Sequence, residues 1–147
     1  MSTASTSTPT TRDYRDTPVD VKLVLSALWI ATLFVFAYVD LFGFFRADVL
    51  EAALDGEVGT TGLTVNQGFL TATLIYIAIP SLMVVASLLL RARVNRIAQL
   101  VAAPLYIVTI AASMVGEDWA YYLIGSVIEI VLLLAVIRYA WKWPTNA

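Results

Sequence analysis

The chain has 147 residues, 60% of them hydrophobic and 14% charged, against about 45–50% and 25% in an average soluble domain. A soluble core of this size cannot hide that much apolar surface. The absence of Cys and His excludes disulfides, thiolate or imidazole metal sites, haem ligation and the commonest general base, so no cofactor or metal is expected. A formal charge of −2 supplies no basic stripe for a nucleic acid, and none is expected as a partner.

Residues 1–19, rich in Ser and Thr, offer almost nothing to bury and are expected to form a disordered cytoplasmic tail. They hold no apolar stretch of the signal-peptide kind, and residue 2 is Ser rather than the Gly that myristoylation needs. Thr17-Pro18 has the form of a helix start, with Thr as the N-cap and Pro in the first turn.

Four apolar runs follow, predicting helices over roughly 20–45, 65–91, 96–115 and 118–142. Each is long enough to cross a hydrocarbon layer of about 30 Å, which takes about 20 helical residues. Backbone hydrogen bonding in lipid leaves helix as the only solution for runs of this kind. The predicted fold is therefore all-α, a single four-helix transmembrane bundle over residues 20–147. Between the first two spans, Val49, Leu50, Ala53 and Leu54 share one face of a two-turn helix, the pattern of a piece lying on the membrane surface. Asp55-Gly56 ends it, and Gly59 and Gly62 mark turns. Thr64-Val65-Asn66-Gln67 has the form of a capping box at the start of the second span. Arg91 to Arg96 reads as a tight basic turn and Gly116 to Asp118 as a tight acidic one.

Arg12, Arg15, Lys22, Arg91, Arg93, Arg96, Arg138 and Lys142 fall on one side of this topology, and Arg46 on the other. The positive-inside rule then puts both termini in the cytoplasm, with the first and third connections outside. Trp119, Tyr121 and Tyr122 at one end of the last span, with Tyr139, Trp141 and Trp143 at the other, read as aromatic belts. The basic residues at the inner face are suited to anionic lipid headgroups.

The segments Tyr38 to Phe44, Ile79 to Met83, Val94 to Arg96 and Tyr139 to Pro144 together resemble a family of small four-helix prokaryotic membrane proteins known only as a domain of unknown function. The resemblance covers roughly residues 20–145. A looser similarity to DoxX-like proteins extends to architecture alone. The resemblance implies the fold and no activity.

Two carboxylates fall inside the apolar runs, Asp40 and Glu129, and an ionisable group at membrane depth reads as functional by default. At about 1.5 Å per residue, Glu129 falls within about 2 Å of the midpoint of its span and Asp40 roughly 9 Å toward the outside. That difference in depth argues against a shared proton unless the helices tilt. Polar residues recur at helical spacing beside them: Ser26, Trp29, Leu33, Ala37 and Asp40 on the first span, and Asn66, Thr73 and Tyr76 on the second. The third span carries Gln99, Tyr106, Thr109, Ser113 and Glu117, and the fourth Asp118, Tyr122, Ser126 and Glu129. Glu129, Asp40, Tyr76, Tyr106, Thr73 and Ser126 are thus the candidate proton- or ligand-binding residues of an outer polar pocket, closed below by Leu and Ile layers. In that reading Tyr76 and Tyr106 hydrogen-bond Glu129. The plainer reading makes the same side chains interhelical glue. A proline at position 80 frees the Tyr76 carbonyl, and one at position 104 that of Leu100.

No phosphate-binding loop, dinucleotide fingerprint or nucleophile elbow is present, and no catalytic residue is assigned. The expected function is a binding or transport module taking up a proton or a small polar or cationic solute. The alternatives are a non-catalytic accessory or assembly subunit and, third, a membrane enzyme acting on lipid or quinone. Partners expected are membrane lipids and, without an internal repeat to build a path, further copies of the chain or a larger membrane complex.

Overall fold

A computed structural model describes residues 16–59 and 61–144, and within them the chain is helical apart from its connections. Residues 1–15 of the expected tail lie outside the described residues. The helices are α1 (Val21–Gly43), α2 (Ala47–Leu54), α3 (Gln67–Leu89), α4 (Ala92–Ser113) and α5 (Ala120–Trp141). Four of them, α1, α3, α4 and α5, are long and apolar enough to cross a membrane. Their outward side chains, such as Phe34, Leu74, Leu82, Val101, Val108 and Val131, are exposed hydrophobics of the kind a hydrocarbon layer covers.

Helix α1 starts later than the Thr17-Pro18 signal suggests. Residues Thr17 to Val19 lie outside the helix, and Asp20 caps it by accepting the Lys22 amide at 2.8 Å. A carboxylate beside a free amide outcompetes the upstream Thr for this role. The capping-box reading is corrected in the same way. Asn66 is the cap of α3, accepting from the Phe69 amide at 2.9 Å, while Thr64 is drawn into a β-bridge with Glu57. The expected turns at Gly56, Gly59 and Gly62 are present, each glycine with φ between 49° and 76°, a region that costs other residues a Cβ clash.

The basic turn is shorter than expected. Only Leu90 and Arg91 connect α3 to α4, and Arg93, Val94, Asn95 and Arg96 already belong to α4. The reason is a buried polar network that needs Asn95 on a helix. Asn95 donates to the Ser87 carbonyl at 2.6 Å. One turn on, the Gln99 amide donates to Ser87 Oγ and Asn95 Oδ1, each at 2.8 Å. Gln99 Oε1 in turn accepts from Trp29 Nε1 at 2.6 Å. Every side chain in the network is fully buried and each polar atom finds a partner, as an apolar surrounding requires.

Two cations finish helices other than their own. Lys22 of α1 donates to the carbonyls of Leu88 (3.2 Å) and Leu90 (2.8 Å) at the end of α3. Arg96 of α4 donates to the Ala140 carbonyl near the end of α5 at 3.2 Å. Both satisfy carbonyls that the helix leaves open and sit at the negative end of its dipole.

Packing is uneven. α1 lies against α3 and α5, and α4 against α5, while α3 and α4 approach closely at few points. Leu25, Trp29, Met83, Ala103, Tyr106, Leu133 and Val136 form the core. All buried residues of α3 (Pro80, Met83 and Ser87) lie from its proline onward, so its first half covers the bundle loosely. On α1, Ser26 and Trp29 of the expected stripe are buried and Asp40 faces the cavity, while Thr32 and Phe36 take the inward places expected of Leu33 and Ala37. Gly125 lets α1 and α5 meet: a Cβ there would collide with Val39 Cγ2.

Candidate functional site

The loose half of α3 roofs a cavity of about 530 Å³. Phe36, Val39 and Asp40 of α1 face it, as do Phe69, Ala72, Thr73, Tyr76 and Ile77 of α3. Thr109, Ile110 and Ser113 come from α4, and Tyr122, Ser126 and Glu129 from α5. Among the described residues no basic side chain lines it.

Of the six residues singled out in the sequence, the structure brings five together: Glu129, Asp40, Tyr76, Thr73 and Ser126. The carboxylates share the cavity despite their difference in depth along the chain, and no hydrogen bond joins them. Tyr106, the sixth, stands behind the cavity wall at 1% exposure. Its hydroxyl donates to the Tyr76 carbonyl. That carbonyl is the one Pro80 deprives of its amide partner, so a neighbouring helix supplies the missing donor. Tyr76 itself is occupied with Thr109 Oγ1 at 2.7 Å. Neither tyrosine hydrogen-bonds Glu129, which corrects the expectation that they do.

Beneath the cavity the expected apolar layers are joined by four aromatic rings, of which Phe36 and Tyr76 line the space. Tyr76 and Tyr106 have centroids 4.8 Å apart, Phe36 lies 6.5 Å and 6.3 Å from them, and Trp29 packs edge-on to Tyr106 at 6.0 Å. Such tilted and edge-on pairs match the ring quadrupoles. The rings continue into the core of Leu25, Met83, Leu133 and Val136, and Trp29 links them to the Gln99 network.

Glu129 is 3% exposed, yet its carboxyl has no hydrogen-bond partner among the described residues; it opens onto the cavity instead. Ser126, one turn earlier on the same face, is 2% exposed. Asp40 is exposed and stands at the rim with Thr73, whose hydroxyl turns back to the Phe69 carbonyl. Tyr122 belongs to the stripe of the fourth span as well as to its aromatic belt, whereas Phe36, Phe69 and Val39 lie outside the polar stripes expected from the sequence. Their signal is spacing: Phe36 lies four residues before Asp40, and Phe69 four before Thr73.

Beyond the cavity, Arg46 joins the α1–α2 corner to the α4–α5 turn. It pairs with Asp48 at 2.6 Å and with both Glu117 oxygens at 3.1 Å, and its guanidinium lies 4.7 Å from the Trp119 ring centroid. The hydrogen bond from Arg46 holds the Asp48 carboxyl below its ordinary pKa, and the same pairing raises that of Arg46. Among the described residues, the one cation at this end of the bundle is therefore already paired. Among the described residues Glu51, Asp55, Glu57 and Asp118 have no salt-bridge partner.

Four helices long and apolar enough to span a membrane, set around a carboxylate-bearing cavity, have the character of a membrane protein. The chain belongs to a family of unknown function, DUF6326, which matches residues 17–147. No curated protein and no solved structure matches it.

Proposed function

We propose that the protein is a binding or transport module of a prokaryotic cell membrane, whose cavity faces outward and takes up a proton or a small polar or cationic solute. One observation carries this reading: Glu129 is buried in an apolar bundle with no hydrogen-bond partner among the described residues and opens onto a cavity. A carboxyl held so, without a partner to offset its desolvation, is expensive as structure alone. The outward orientation rests on Arg91, Arg93 and Arg96 and the basic residues toward the chain ends against the acidic α2 end. The exposed Leu50 and Leu54 of α2 suit a helix resting on the outer membrane surface.

The accessory-subunit reading draws on a different observation. Tyr76, Thr109, Ser87, Asn95 and Gln99 all bond within the chain, as interhelical glue does. Proteoliposomes containing the full chain separate the two. Glu129-dependent dissipation of a pH gradient, or Glu129-dependent uptake from a solute panel, supports the module. Indistinguishable behaviour of wild type, Glu129→Gln and empty vesicles, with both proteins folded, supports the subunit.

A further inference from the structure

Resting on the binding reading above, we infer that the occupant of the cavity is a small organic cation, an ammonium group carrying an apolar or aromatic substituent. Size decides first. A proton or a monatomic ion does not need about 530 Å³, whereas pockets for small organic molecules run from about 300 to 1,000 Å³. The donor set points the same way: the cavity brings two carboxylates together, and no cluster of three or more His, Cys, Asp or Glu is found among the described residues.

Charge decides next. Among the described residues two carboxylates, Glu129 at depth and Asp40 at the rim, face the cavity, and no basic side chain does. Arg46, the one cation among them at that end of the bundle, is held by Asp48 and Glu117. The positive charge that an ionised Glu129 needs in a low-dielectric site must then come from the ligand. The unpaired Glu51, Asp55, Glu57 and Asp118 around the same end give a field that draws cations and repels anions.

The wall sets the remainder. Phe36, Phe69, Tyr76 and Tyr122 line the space, and ring faces attract an ammonium while shielding an apolar substituent from water. Ser126, beside Glu129 on the same helix face, offers an adaptable hydroxyl.

The test uses the full chain in lipid nanodiscs. Thermal unfolding is followed with benzyltrimethylammonium, with benzyl alcohol as a neutral aromatic of similar girth, and with potassium chloride. The expected result is a saturable rise in Tm with benzyltrimethylammonium alone, its apparent Kd weakened at least tenfold in Glu129→Gln. Should Glu129→Gln not fold, Ala72→Trp, which fills the cavity from the loose half of α3, is expected to abolish the shift while keeping both carboxyls. An equal shift with benzyl alcohol overturns the inference but leaves a binding cavity. A shift with potassium chloride alone, or none with any probe beside Glu129-dependent proton flux, also overturns it and leaves the site reading standing. No shift and no flux overturns both.

Discussion

Asp48 and Arg46 form the ion pair of the α2 end, and the sign of their pH dependence follows from the depressed Asp48 pKa. A carboxyl whose folded pKa lies below its unfolded one stabilises the fold above the unfolded value and loses that contribution as pH falls through the folded one. The stability gap between wild type and Asp48→Asn is therefore expected at neutral pH and should close below about pH 4. Thermal unfolding of both proteins across a pH series checks it. A gap that persists under acid would separate the role of Asp48 from its charge. The Tyr106 hydroxyl is a second residue with a defined task, since it replaces the amide that Pro80 lacks. Tyr106→Phe should cost about 1 kcal/mol, within the range of membrane hydrogen bonds. In the Pro80→Ala background the restored amide serves the Tyr76 carbonyl, and the same change should cost little. A double-mutant cycle in bicelles reads this coupling directly. Strict additivity would show the hydroxyl to be idle.

At the scale of elements, Gly125 marks where α1 and α5 press together. Gly125→Ala drives a methyl into Val39, a β-branched side chain with little room to turn, and should destabilise by about 1–3 kcal/mol. Chemical unfolding measures it, and an unchanged midpoint would mean the helices separate freely there. The number and type of the long helices were legible in the sequence, because four apolar runs in lipid admit one backbone solution. Their ends were not. Thr17 and Thr64 carry good capping chemistry, but Asp20 and Asn66 stand closer to the amides that need them. The start of α4 was hidden for a different reason. Arg91 to Arg96 reads as loop by charge, while the burial of Asn95 against Ser87 is a contact between two helices that no local pattern contains. Glu129, Asp40, Tyr76, Thr73 and Ser126 were legible through helical spacing. Tyr106 was misplaced because spacing gives a face and not a partner, and Pro80 had already created a better acceptor for its hydroxyl.

For the whole molecule, orientation is the property most open to a direct check. The chain has no Cys, so a single introduced thiol is the only one present. Glu51→Cys is expected to react with an impermeant maleimide from outside intact cells, and Arg93→Cys only after permeabilisation. The reverse pattern would turn the cavity toward the cytoplasm. Packing gives the molecule a tight half, with the Gln99 network and the core, and a loose half under the first part of α3. Local opening should be cheapest in that loose half, the half that holds the cavity.

The cross-helix caps also bear on how the chain assembles as it is made. Lys22 emerges on the first span, but the carbonyls it serves lie at Leu88 and Leu90. Arg96 likewise precedes its acceptor at Ala140. Each early cation must therefore be kept at the membrane surface, solvated by water and headgroups, until a later span arrives to receive it. Insertion and tertiary docking become successive events, and the order of synthesis sets the order in which the bundle locks.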